Sequence, residues 1–292
     1  MSTVNPPARP ADLAPAPDTT VAVVPPASRR NVIVYVGGTF ALSCAGGALL
    51  ASGADVGGLV FILSPLLMAA ALRWFGGDGW RDAGLRLRLR GNGRWYLLAA
   101  VGFPVLSALA IGLGVAAGQV DVAPGFGAAF AAALGVALVP RMLFALSEEF
   151  GWRGYLEPRL AALGVAPARR HLLVAAVWGV WHLPYILALE DYTELPLAVH
   201  LPLFLAGVTA MSYWYGVVRE RTGSVWPAVL AHGIANAVAF PLLTLADVRA
   251  PLVFAARPEG LVVLAGLTAI AAVVWRRSRR SRPGADARRV TR

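Results

Sequence analysis

From residue 31 to residue 275 the chain alternates long apolar runs with short polar loops. Eight runs stand out, at 31–51, 56–75, 95–118, 124–155, 170–189, 197–217, 224–245 and 259–275. Each approaches or exceeds the roughly 20 apolar residues that a helix needs to cross the hydrocarbon core of a bilayer. The pattern predicts an all-α fold, a polytopic membrane bundle of about eight transmembrane helices.

The polar loops test that count. Arg29 and Arg30 precede the first run, and Arg73, Arg81, Arg86, Arg88, Arg90 and Arg94 lie between the second and third. Arg153, Arg159, Arg169 and Arg170 follow the fourth, Arg219 and Arg221 follow the sixth, and Arg276, Arg277, Arg279 and Arg280 follow the last. The alternate loops are acidic or mixed: Asp55, then Asp121, then Glu190, Asp191 and Glu194, then Asp247, Arg249, Arg257 and Glu259. Arginine on every second loop is what the positive-inside rule requires of an even number of spans. Both termini are therefore expected in the cytoplasm.

Composition agrees. Of 292 residues, 58% are hydrophobic and 14% charged, and the mean hydropathy is +0.63, whereas a soluble domain carries about 25% charged residues. The net charge of +10 sits in loops and the C-terminal tail, so it does not argue for a nucleic-acid partner. The bilayer is the expected partner, with the arginine-rich tail as a topology anchor touching anionic lipid. Residues 1–30 are a Pro/Ala-rich stretch that cannot bury enough surface to fold. The expected division is a disordered cytoplasmic tail at 1–30, a helical membrane domain at 31–275 and an arginine-rich tail at 276–292. Cys44, the single cysteine, excludes an intrachain disulfide and reads as a small packed hydrophobe.

A few residues should not be in a membrane. Glu148 and Glu149 close the fourth run, Arg141 lies within it, His182 falls in the fifth, and His232 and Asn236 fall in the seventh. Charges there cost about 2.5–3.5 kcal/mol each at a helix centre on insertion scales, so they mark functional sites by default. At 1.5 Å per residue, Glu149 lies roughly 9 Å, His232 about 10 Å and His182 about 16 Å from the arginine-bearing side. Three helices thus bring Glu, His and His to a similar level. Glu149 and Arg153 are four apart, as are Trp178 and His182, and His232 and Asn236, so each pair shares a helix face. Arg141 shares a face with Glu148, where it would offset that acid or line a water-filled cavity. His171 and His200, at helix ends, read as residues at the headgroup level.

A buried glutamate beside histidine suits activation of water, and a second histidine with an amide suits stabilisation of an oxyanion. The same residues could instead ligate a divalent metal such as zinc. Both schemes end in hydrolysis of an amide or ester.

At these positions the chain resembles the CPBP intramembrane proteases, which include the type II CAAX prenyl endopeptidases and bacterial proteins linked to bacteriocin self-immunity. The motif Glu-Glu-x-x-x-Arg matches Glu148, Glu149 and Arg153. An aromatic followed four residues later by His matches Trp178 and His182, with Trp in place of the commoner Phe. His-x-x-x-Asn matches His232 and Asn236. The resemblance implies an eight-helix bundle with a conical cavity open toward the cytoplasm and the bilayer. It implies that Glu148 or Glu149 with His182 activates water, that His232 and Asn236 stabilise the oxyanion, and that Arg153 orients the glutamates. Both metal-dependent and metal-free mechanisms have been argued for such proteins. The expected activity is endopeptidase cleavage of a membrane-associated protein or peptide near the cytoplasmic face of a bacterial membrane. The alternatives are a non-catalytic scaffold or bacteriocin-immunity factor, and a proton-coupled transporter. His-Glu-x-x-His, Gly-x-Ser-Gly and Gly-x-Gly-Asp signatures are missing; Gly76-Gly77-Asp78 comes near the last but falls at a helix boundary.

Overall fold

The computed structural model describes residues 28–189 and 193–280, without the side chains of 278–280. The tail up to residue 27, residues 190–192 with the expected loop acids Glu190 and Asp191, and the chain beyond 280 lie outside the described residues.

The apolar runs are helical. In order they are α1 (Arg29–Ala51), α2 (Val56–Trp74), α3 (Gly93–Ala116), α4 (Phe126–Gly151), α5 (Glu157–Ala162), α6 (Pro167–Trp181), α7 (Leu183–Ala188), α8 (Leu197–Thr222), α9 (Trp226–Leu245), α10 (Pro251–Phe254) and α11 (Leu261–Arg280). Among the described residues seven stretches are long and apolar enough to span a membrane: α1, α2, α3, Phe126–Ala162, Pro167–Ala188, α8 and α9. The last expected run is α11, which packs against α8 and α3. The architecture is that of an integral membrane helical bundle.

One departure from pure helix is a short antiparallel ribbon pairing β1 (Val120–Val122) with β2 (Ala246–Val248). It ties two loops at the end of the bundle opposite the arginine-bearing loops, and Arg249 pairs with Asp121 across it.

Two expected helices are broken near the candidate residues. Between α4 and α5, Trp152–Leu156 form a π-helical turn, the wider turn that often marks functional positions. Between α6 and α7 the break falls at His182, which ends one helix and starts the next. Pro184 explains it, because proline offers no N–H to the carbonyl four residues back.

Proline inside a membrane helix needs its freed carbonyl satisfied by other means. At Pro65 of α2 the remedy is visible. Ser64 Oγ donates to Phe61 O at 2.8 Å and accepts from Trp181 Nε1 at 2.9 Å. Ser43 of α1 donates to Trp181 O at 2.7 Å, and Phe61 stacks on the Trp181 ring at 3.9 Å. The residue beside His182 is thus pinned from two helices.

Small residues bring backbones together where lipid supplies no hydrophobic drive. A Cβ at Gly46 of α1 would sit 2.7 Å from the carbonyl oxygen of Gly57 in α2. At Gly233 of α9 it would sit 2.3 Å from Met142 Sδ and 3.1 Å from Met142 Cα, so this glycine sets the close approach of α9 to α4.

The arginine-bearing loop between α2 and α3 folds back onto the bundle. Arg219 donates to the carbonyls of Asp82 at 2.7 Å and Arg153 at 3.2 Å, and Trp226 Nε1 donates to Leu85 O at 2.7 Å. Asp78 is buried there, accepting from Tyr155 Oη at 2.6 Å and from Asn31 Nδ2 at 3.0 Å. Arg159 pairs with both Asp78 and Asp82. Asp78, noted for its near-match to a protease motif, is a clamp between helix ends.

Candidate active site

The antiparallel pair α4 and α9 carries the centre of the site. His232 Nδ1 lies 2.9 Å from Glu149 Oε1, and His232 Nε2 lies 3.7 Å from Glu148 Oε1. One imidazole is therefore wedged between the two carboxylates. Arg153 Nη1 lies 3.0 Å from both oxygens of Glu149. Arg153 and Glu149 are each 0% exposed, so neither charge has water to compensate it, and each depends on the other. The guanidinium is also held between aromatic faces, its Cζ 4.9 Å from the Trp178 ring and 5.2 Å from the Tyr215 ring, within cation–π range.

Glu148 has different company. Its Oε2 accepts from Trp178 Nε1 at 2.7 Å, and its side chain lines a cavity of about 520 Å³ together with His182, His232 and Asn236. Glu149 is not among the residues lining that cavity. The two carboxylates, equivalent in the sequence, are thus separated: one faces open space and the other is sealed behind it.

His182 is oriented by the helix break. Its Nδ1 lies 2.8 Å from the carbonyl oxygen of Trp178. A carbonyl only accepts, so Nδ1 carries the hydrogen and the neutral ring offers Nε2 as an acceptor. The rings of Trp181, Phe204 and Phe61 stand edge-on around it at 4.7, 5.1 and 5.9 Å. Asn236, one turn beyond His232, also lines the cavity. All seven motif residues are thus within one neighbourhood, five of them, Trp178 included, on the cavity wall and two behind it.

The cavity lining runs from Glu148 past Arg141 and Phe240 to Asp55, Leu189 and Glu259. The rings of Trp152, Tyr155 and Tyr215 are buried beside Glu148 and Glu149 and are not among the lining residues, whereas Trp178 is.

Three expectations change. His171 and His200 are both 0% exposed, so each is packed inside the bundle rather than presented to the headgroups. His171 lies 3.0 Å from Glu157, in a cluster with Glu220 and Arg170 that joins α5, α6 and α8. His200 stacks on Phe204 and faces Glu259 at 3.9 Å. Cys44 is exposed and turned out from α1 rather than packed.

Whether the motif residues suit a metal is decided by where their donor atoms point. Among the described residues, the group whose ligand atoms all lie within 4.8 Å of one another is Glu157, His171 and Glu220, and Arg170 already bridges its acids. Glu148, Glu149, His182 and His232 do not form such a group among the described residues: Glu149 is held by Arg153 and His232, while Glu148 Oε1 and His182 Nε2 are left toward the cavity.

The tryptophan of the second motif does more than its spacing suggests. Phe at this position keeps the ring but cannot donate to Glu148. Trp178→Phe is expected to lower catalytic turnover about 10- to 100-fold, the scale of losing a hydrogen bond to a charged group, with little change in the thermal midpoint. Steady-state kinetics beside a thermal melt in detergent checks this.

No curated protein matches this chain. Residues 130–238 match the family described as Type II CAAX prenyl endopeptidase Rce1-like, a stretch holding Glu148, Glu149, Arg153, His182, His232 and Asn236. With its long apolar helices, the chain therefore carries an Rce1-like domain of the type II CAAX prenyl endopeptidase family over residues 130–238.

Proposed function

We propose that this protein is an intramembrane endopeptidase that hydrolyses a peptide bond with water activated by Glu148. The observation that carries the reading is the split between the two carboxylates. Glu148 shares a cavity wall with His182, His232 and Asn236, while Glu149 is committed to Arg153 and His232.

Water in that cavity gives one hydrogen to Glu148 and the other to the free Nε2 of His182. Its lone pair is then left for the carbonyl carbon of the scissile bond. Glu148 takes the proton as the oxygen attacks. His232, fixed by its Nδ1–H to Glu149, and the Asn236 amide donate to the oxyanion. His232 does so through Nε2 when its ring carries both protons, and the two carboxylates are then balanced by His232 and Arg153. Glu148 returns its proton to the departing nitrogen and the C–N bond breaks; the new acid then passes the water's remaining proton to the amine, so the products are a carboxylate and an ammonium. Arg153 and Glu149 touch neither substrate nor water and act as positioning residues.

The family name points to substrates with a prenylated C-a-a-X terminus, and the largely apolar cavity suits such a peptide. The arginine-bearing loops, cytoplasmic by the positive-inside rule, put Glu148 in the cytoplasmic half of the bilayer. The peptide's C-terminal residues then run inward from it.

Purified protein in detergent, with chelator present, is expected to shorten an S-farnesyl peptide ending Cys-Val-Ile-Met. An intact peptide would favour the scaffold or immunity reading. Solute flux in liposomes that depends on Glu148 without peptide-bond loss would favour the transporter.

A further inference from the structure

Arg141 lies in α4 seven residues before Glu148 and lines the same cavity. Its guanidinium Cζ sits 3.5 Å from the centre of the Phe240 ring. Phe240 is eight residues beyond His232, as Arg141 is eight before Glu149, so the pair repeats the α4–α9 register of the Glu149–His232 contact. Among the described residues Arg141 forms no ion pair, whereas Arg257, the other arginine on the cavity wall, pairs with Glu259 at 2.6 Å. A cation facing an apolar cavity at membrane depth is costly unless an anion meets it. Among the described residues no carboxylate does so, and a ligand can supply one.

We propose that Arg141 binds the C-terminal carboxylate of the peptide substrate, an assignment that rests on the peptidase reading above. Distance supports it. Seven helical residues separate Arg141 from Glu148 by about 10 Å along the axis, and three extended residues cover about 10 Å at 3.3–3.6 Å each. A peptide whose scissile bond meets Glu148 therefore brings its terminal carboxylate to Arg141 when three residues follow that bond. In a C-a-a-X terminus those three are the residues after the cysteine. The planar guanidinium matches a carboxylate with two parallel hydrogen bonds, and its contact with the Phe240 ring holds it at the cavity wall. The cavity thus measures both the charge and the length of the released end.

The test compares fluorescent S-farnesyl peptides ending Cys-Val-Ile-Met as free acid and as C-terminal amide. Cleavage is followed with the parent, Arg141→Gln and Arg141→Lys, and binding is followed by anisotropy with the parent and Arg141→Gln. The parent is expected to prefer the acid roughly 10- to 100-fold in kcat/KM, the scale of a hydrogen bond to a charged partner. Arg141→Gln should treat both peptides as the parent treats the amide, and Arg141→Lys should keep part of the preference. Equal cleavage of acid and amide by the parent, or an equal fall on both in Arg141→Gln, overturns the assignment and leaves the peptidase reading standing. Preferential binding of the acid that Arg141→Gln abolishes, without cleavage of either peptide, upholds the carboxylate site and removes the peptidase reading. No preference in either assay overturns the assignment.

Discussion

Glu148→Gln is expected to reduce kcat for peptide cleavage by about 10²–10⁴-fold, the usual contribution of a positioned general base, while the protein stays folded. The amide keeps the shape of the carboxylate, and its oxygen still accepts from Trp178 Nε1. It cannot take a proton from water. Glu148 faces the cavity and pairs with no arginine; its longer contact with His232, at 3.7 Å, holds α4 to α9 less than the Glu149 contacts do. Its loss should therefore appear in kcat and hardly at all in the thermal midpoint. Glu149→Gln makes the contrast. It weakens the partner of Arg153 and the acceptor that fixes His232, so stability and rate should fall together. Parallel kinetics and melts of the two variants distinguish a base from a positioning residue.

The largest loss of stability is expected from Arg153→Ala. The substitution leaves Glu149 buried without its counter-ion, and breaking such a pair by removing one partner costs about 3–5 kcal/mol. It also empties the space between Trp178 and Tyr215, removing two cation–π contacts. A thermal melt in detergent should show a much lower midpoint than for Trp178→Phe. Arg153→Ala with an unchanged melt would mean that the Glu149–Arg153 pair does not support the bundle.

Much of this site could be read before any coordinates, for identifiable reasons. Apolar runs of helix length and arginine on alternate loops are local signals, and they locate the helices within a few residues. The estimate that Glu149 and His232 lie at the same depth rests only on helical rise, and the two side chains do touch. What could not be read depends on partners distant in sequence. The division of labour between Glu148 and Glu149 depends on which face of α4 meets α9, and on the close approach allowed by Gly233. The indole N–H of Trp178 finds its acceptor 30 residues away. His171 looked interfacial because it begins a helix, yet a loop and the π-helical turn bring Glu157 beside it. The break at His182 was foreshadowed by Pro184, but its consequence, the choice of tautomer, needed the carbonyl of Trp178 in place.

The central claim is that Glu148 delivers water to a peptide bond inside the membrane. It is tested most directly by incubating the S-farnesyl peptide in water enriched in heavy oxygen with the purified parent and Glu148→Gln proteins, and weighing the products. The account predicts a shortened peptide whose new carboxylate carries one heavy oxygen, formed by the parent and barely detectable with Glu148→Gln. An unchanged peptide with the parent, or equal shortening by both proteins, would contradict it.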